Sequence, residues 1–161
     1  MSSAVKSAYG PNNQGITITL ASLATAGARA STAVDNTVNV FLDALVSLVI
    51  KTGASGVVST GSVNIYAYGT TDGGTNYSDG ATGTDAGITL TSPPNAKIIG
   101  VGSLVANATT YKIGPFSVAA AFGGVLPDHW GIIVQNNTGG AFDSTEGNHT
   151  KDYQGYYQNV G

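Results

Sequence analysis

The chain has 161 residues, 42% of them hydrophobic but only 9% charged, with a net charge of −3 and no cysteine. That length suits one domain with a worthwhile core, and an apolar chain so poor in charge is not a disordered one. The basic residues Lys6, Arg29, Lys51, Lys97, Lys112 and Lys151 never cluster into a phosphate-neutralising patch, no apolar run reaches the roughly eighteen residues of a membrane span, and without cysteine there are no disulfides, thiolate metal sites or Cys nucleophile.

In chain order, residues 1–15 (MSSAVKSAYGPNNQG) are small and polar, broken by Gly10-Pro11 and Gly15, and lack the apolar core of a secretory signal. They read as a flexible N-terminal arm, either frayed or ordered against a neighbouring subunit, ahead of a single β domain over 16–161. Ile16 to Leu23 alternates Ile16, Ile18 and Leu20 with Thr17, Thr19 and Ala21 and predicts a first strand. Ala24 to Gly27 turns the chain, Ala28 to Val34 predicts a second strand, and Asp35-Asn36 is a tight turn.

The strongest element follows. In Val38 to Thr52 every second residue from Val38 to Ile50 is apolar, whereas the other register mixes Asn39, Asp43, Ser47 and Lys51 with Phe41, Leu45 and Val49. Asn39, Asp43 and Ser47 also fit a helical stripe, but the β-branched residues and the lack of caps favour a long strand lining a core. Asp43 interrupts the run, so a bend or bulge is expected near it. The mixed face is too apolar for plain solvent; a loop or a partner subunit should cover it.

Ser62 to Gly69 alternates again. Gly69 to Gly87 is a long Asp/Gly-rich segment expected at the surface, before a short strand at Ile88–Leu90 that Pro93-Pro94 ends. Lys97 to Val105 predicts a strand. Tyr111 to Phe122 predicts another, broken at Gly114-Pro115, with Phe116, Val118, Ala120 and Phe122 alternating inward. His129 to Asn136 puts Trp130, Ile132 and Val134 on one face, and Thr150 to Val160, with Tyr153, Tyr156 and Tyr157, predicts an amphipathic last strand. Frequent turns, eight to ten short strands and no helix predict an all-β antiparallel sandwich, with a jelly roll as the favoured topology.

Chemistry is thin. Asp72, Asp79, Asp85 and Asn76 supply oxygen atoms suited to calcium, but their spacing matches no calcium loop, and Asp-Gly is ordinary turn chemistry. His129 and His149 lie in different segments, Glu146 is the only Glu, and no hydrolase motif occurs. No catalytic, cofactor-binding or metal-ligating residue is therefore assigned, no cofactor is expected, and the chain reads as a non-enzyme. Tyr66, Tyr68 and Tyr77, or Tyr153, Tyr156 and Tyr157, suit sugar stacking, interface anchoring or plain packing on a sheet.

Three segments carry a resemblance: ITLASLATAGARASTAVDN, YAYGTTDGGTNYSDGATG and IGPFSVAAAFGGVLPDHWGIIVQNNTGGAF. With them the chain resembles small structural proteins of tailed-bacteriophage virions. The resemblance implies an all-β capsid decoration (cement) protein, assembled in the host cytoplasm and located on the capsid surface. Its expected partners are the major capsid protein and further copies of itself as a homodimer or homotrimer, with no nucleic acid and no membrane. A minor head, neck or tail component and a carbohydrate-binding sandwich module are the alternatives. The resemblance transfers no site residue.

Overall fold

A computed structural model describes residues 4–160. Its strands are β1 (Val5–Tyr9), β2 (Gln14–Gly15), β3 (Ala28–Ala30), β4 (Val34–Asp35), β5 (Asp43–Lys51), β6 (Ser62–Thr70), β7 (Ala86–Ile88), β8 (Lys97–Ser103), β9 (Thr110–Ser117), β10 (His129–Asn137) and β11 (Thr150–Val160). They form two antiparallel sheets. The first runs β1-β11-β5-β9, with β2 also on β11; the second runs β7-β3-β10-β6-β8, with β4 also on β10. The antiparallel sandwich expected from the alternating pattern is therefore what forms.

The sheets close on side chains whose period-two spacing sends them inward. Ala44, Val46, Leu48 and Ile50 of β5 face Val63, Ile65 and Ala67 of β6 and Trp130, Ile132 and Val134 of β10. Each fully buried Val, Leu or Ile contributes about 1.5–3 kcal/mol relative to exposure. Trp130 stacks edge-on against Tyr153 of β11, with ring centroids 5.2 Å apart.

The apolar register of 38–52 holds from Ala44 to Ile50 and fails before it. Val38 is 84% exposed, Val40 is 65% exposed with a left-handed φ of 49°, and β5 begins only at Asp43. The chain bends at Leu42, next to Asp43, and the bulge of β5 lies a few residues further on. The register shift against β9 falls between Val46 and Leu48, opposite Gly114-Pro115, because Gly114 takes φ +94° and packs directly on the Val46 carbonyl. Asp43 itself accepts hydrogen bonds from Ser117 Oγ (2.7 Å) and the Ala119 N–H (2.8 Å). These bonds fix a 3-10 turn, Ala119–Phe122, where the sequence predicted continued alternation: Val118 is buried but Ala120 is exposed.

Two further segments differ from expectation. Ile16, Ile18 and Leu20 point inward as predicted, yet they belong to no ladder. Their stretch is held by carboxylates: the Thr19 N–H donates to Asp85, and the Leu20 and Ala21 N–H groups donate to Glu146 Oε2 at 2.8 and 2.7 Å. The segment read as a flexible arm lies, from Ala4 onward, along its own chain; its first three residues fall outside the described ones. β1 pairs with the end of β11 in the register Val5 opposite Val160 to Tyr9 opposite Tyr156, and β2 pairs with Asp152 and Tyr153.

Candidate interaction surface

The outer face of the second sheet is covered by the chain itself. The connection from β6 to β8 folds back over that face. Tyr77, Ala81, Ile88, Leu90 and Ala96 pack on Ala28, Ala30, Tyr66, Tyr68 and Ile133, making a second small core. Tyr68 is fully buried; its hydroxyl donates to the Ser31 carbonyl at 2.5 Å, and burial pushes its pKa up to about 12. A Cβ on Gly131 would stand 2.4 Å from the Tyr68 ring, so only glycine lets the ring lie flat on β10. The long surface segment is thus a lid over a sheet and not a free loop.

Its three aspartates act at separate places: Asp72 and Asp79 brace the lid's own turns, and Asp85 ties it to Arg29 of β3 and to Thr19. Asp72 accepts the Thr70 hydroxyl, the Asn76 amide (2.8 Å) and the Thr75 N–H (2.9 Å), which hold its carboxyl well below the usual carboxylate range. Asp79 accepts from the Thr91 hydroxyl and the Ala96 N–H (2.5 Å); burial opposes its ionisation, but these donors outweigh it and lower the pKa. Asp85 is opposed by burial in the same way, but Arg29 Nε at 2.5 Å and the Thr19 hydroxyl at 2.6 Å lower it. The three carboxylates do not converge, and no cluster of three potential metal ligands occurs among the described residues.

The histidines serve different neighbourhoods. His149 is buried, its Nδ1 accepting the Lys51 N–H (3.3 Å) and its Nε2 lying 3.1 Å from the Asp143 carbonyl, so the Nε2–H tautomer satisfies both contacts. Around it, Glu146 binds the Lys151 ammonium, and Asp143 accepts from the Asn148 amide (2.8 Å) and the Thr145 N–H (3.0 Å). These bonds bring the pKa of Asp143 down to about 2. Glu146 is lowered too: burial resists, and Lys151 with the two backbone donors prevails. This group stitches Leu20-Ala21, the end of β5 and the start of β11 together. His129 lies 3.7 Å from Asp128 and 3.9 Å from Asp35, beyond hydrogen-bond reach of either.

The first sheet has a bare outer face. Leu45, Ser47 and Val49 stand opposite Gln154, Asp152 and Thr150 on β11, and Leu45 and Val49 stand opposite Ser117 and Lys112 on β9. Leu45 and Val49 remain half-buried there. Asn12 and Asn13 cross at one side, bounding a groove of about 270 Å³ with Leu45, Pro115 and Gln154. Phe41 is different: it is buried by its own chain, between Gly10 and Gly155, with Tyr157 at 6.1 Å. The cover foreseen for the mixed face is thus intramolecular and nearly complete at Phe41 but only partial at Leu45 and Val49.

Beyond that face the sheet thins to a ribbon. β5 pairs with β11 only from Thr150 to Tyr156, so from Tyr157 onward β11 has β1 as its one strand neighbour among the described residues. Opposite residues of an antiparallel pair share a face. Val5 with Val160, Ser7 with Gln158 and Tyr9 with Tyr156 therefore continue the bare face, and Val5, Tyr9 and Val160 are each about 60% exposed or more. Tyr9 meets Tyr156 edge to face at 5.8 Å, and the Tyr156 hydroxyl bonds Ser7 Oγ at 2.6 Å. Of the tyrosines singled out above, Tyr66, Tyr68 and Tyr153 are buried, Tyr77 is the lid's contact and Tyr157 packs on Phe41 from the other face, which leaves Tyr156 at this surface. The merging of arm and Tyr-rich end has no local sequence signal; it depends on both ends of the chain arriving at one sheet edge.

No protein-family model matches the chain, and no curated protein is similar to it.

Proposed function

We propose that this protein is a non-enzymatic structural subunit of a phage virion, a capsid decoration (cement) protein that binds and stabilises the major capsid shell as a homo-oligomer. The observation that carries the proposal is the contrast between the outer faces: one is sealed by the chain's own lid, and the other has no such cover, with Leu45 and Val49 half-buried and Val5, Tyr9 and Val160 of the β1–β11 ribbon exposed. A half-apolar sheet face and a two-stranded ribbon fit a subunit that gains its last contacts from neighbours. Many weak contacts multiplied by the symmetry of a shell hold such a subunit in place. The low charge and the resemblance in three segments point the same way.

Strand order adds support. Taking β1 with β2, and β3 with β4, as single strands on a shared neighbour and setting the edge strand β7 aside, the sheets run first-eighth-third-sixth and second-seventh-fourth-fifth. We read this order as the jelly roll favoured from sequence, an architecture that capsid and lectin domains use; the functional assignment rests on the surface and not on the architecture. The sugar-binding alternative is weakened, because Tyr66, Tyr68 and Tyr153 are packed inside.

Quantifying the protein in purified particles tests the proposal. Hundreds of copies, lost together with shell stability in particles made without it, are the expected result. A handful of copies would relocate it to head, neck or tail, and none would sink the virion reading.

A further inference from the structure

The free edge of β1 carries an interaction that the bare face alone does not specify. We propose that β1 pairs antiparallel with β1 of a second copy about a two-fold axis at Ser7, joining the two first sheets into one. This rests on the reading of the protein as an assembly subunit and names the surface through which its copies meet.

Hydrogen-bond phase comes first. The Gly10 N–H donates to the Gly155 carbonyl at 2.8 Å, which makes Gly10 and Gly155 a hydrogen-bonded pair. Such pairs alternate along an antiparallel ladder, and β1 runs without a register shift from Val5 to Tyr9. Lys6 and Ala8 therefore bond toward β11, while Val5, Ser7 and Tyr9 turn their N–H and C=O groups to the open edge. An edge of this kind is a template for another strand.

Symmetry then limits the register. A two-fold axis normal to the sheet keeps each residue on its own face, so the axis must pass through a residue position. Centred on Lys6, it sets two lysines directly opposite, which destabilises the pair. Centred on Ala8, it brings Val5 against the partner's Pro11, which has no N–H to give. Centred on Ser7, every outward group finds a mate: Ser7 pairs with the partner's Ser7 and Val5 with the partner's Tyr9, for about six hydrogen bonds.

Side chains agree with that register. On the bare face it makes a row of Val160, Val5, the partner's Tyr9 and the partner's Tyr156, repeated by symmetry, which would cover the exposed Val160, Val5 and Tyr9 and the half-buried Tyr156. On the other face Lys6, the one charged residue of the ribbon among the described residues, lies opposite the partner's Ala8, and the two lysines are diagonal. A foreign strand fits the same edge only if its side chains happen to supply this apolar-small-apolar spacing; a second copy supplies it by construction.

The chain has no cysteine, which makes cross-linking clean. Sedimentation of the full chain should give twice the 16.1 kDa mass. Ser7→Cys should oxidise to a covalent dimer, since a hydrogen-bonded pair places the two Cα atoms about 5.5 Å apart, whereas Ala8→Cys should cross-link at least ten-fold more slowly. Ser7→Pro removes an N–H that β11 does not use, together with the exposed Ser7 hydroxyl bond to Tyr156, so it should yield a monomer that still unfolds cooperatively, at a melting temperature that no longer rises with protein concentration. A monomeric wild-type chain, a dimer that survives Ser7→Pro, or equal cross-linking of the two cysteine variants would overturn the inference. Shell binding is read separately. A dimer that ignores capsids leaves the inference standing and removes the proposed function; a monomer that binds them does the reverse.

Discussion

Phe41 is the pin that holds the N-terminal strand to the sandwich, and the glycines around it make the claim measurable. A Cβ on Gly155 would lie 2.3–2.5 Å from Cδ2, Cε2 and Cγ of the Phe41 ring, and one on Gly10 would lie 2.8 Å from Cζ. The ring is thus gripped from two sides and has nowhere to shift. Gly155→Ala should cost about 1–3 kcal/mol through overpacking, a fall of roughly 3–10 °C in Tm for a chain this size. Phe41→Ala should cost about 3–5 kcal/mol. Their combination is the decisive measurement. With the ring gone the added methyl enters empty space, so the double variant should be no less stable than Phe41→Ala alone, a coupling of about 1–3 kcal/mol. Urea titrations of all four proteins give the cycle. Additive losses would refute the grip, and a Gly155→Ala protein as stable as the parent would show that the ring is free to move.

Acid should weaken the fold in one direction only. Asp72, Asp79, Asp85, Asp143 and Glu146 are all lowered in the folded state, so the unfolded chain binds more protons in acid, and the stability they contribute at neutral pH is lost as pH falls through their folded values. The urea midpoint should be flat from pH 7 to about 5 and then fall toward pH 2; a midpoint that holds or rises down to pH 2 would contradict the hydrogen-bond assignments. Replacing Asp85 by Ala removes the link from lid to Arg29 and Thr19. After allowance for partial exposure this should cost roughly 1–2 kcal/mol. Limited proteolysis should then cut first between residues 71 and 84; unchanged cleavage would mean the lid is held by its apolar contacts alone.

Much of the fold was legible because a core-lining strand writes its environment at every second position. β5 alternates in sequence and in burial, whereas β6 and β10 are buried on both faces along their middles because the lid covers the outer one; Trp130, Ile132 and Val134 lie on one inward face as the pattern required. The pattern misled where something other than a sheet supplied the environment. Val38 and Val40 extend the apolar register of β5 but sit in an exposed turn, and Ala120 continues an apolar run inside a 3-10 turn whose cap, Asp43, lies far away in sequence.

The candidate surface was legible only in pieces. The arm and the Tyr-rich end stood out as possible contacts and the Asp/Gly segment as a surface segment, for composition alone. Tertiary structure divided them: the Asp/Gly segment seals the second sheet, and the other two become one ribbon. Glu146 was notable in sequence as the one Glu, yet its work on the Leu20 and Ala21 N–H groups depends on residues more than a hundred positions away. By itself the sequence determined an antiparallel sandwich with few charges and little sign of catalysis, because side-chain periodicity and turn chemistry are local properties. Which face was left open, and which residues line it, only the packing of distant segments decided, because coverage is a relation between parts of the chain that no local pattern records.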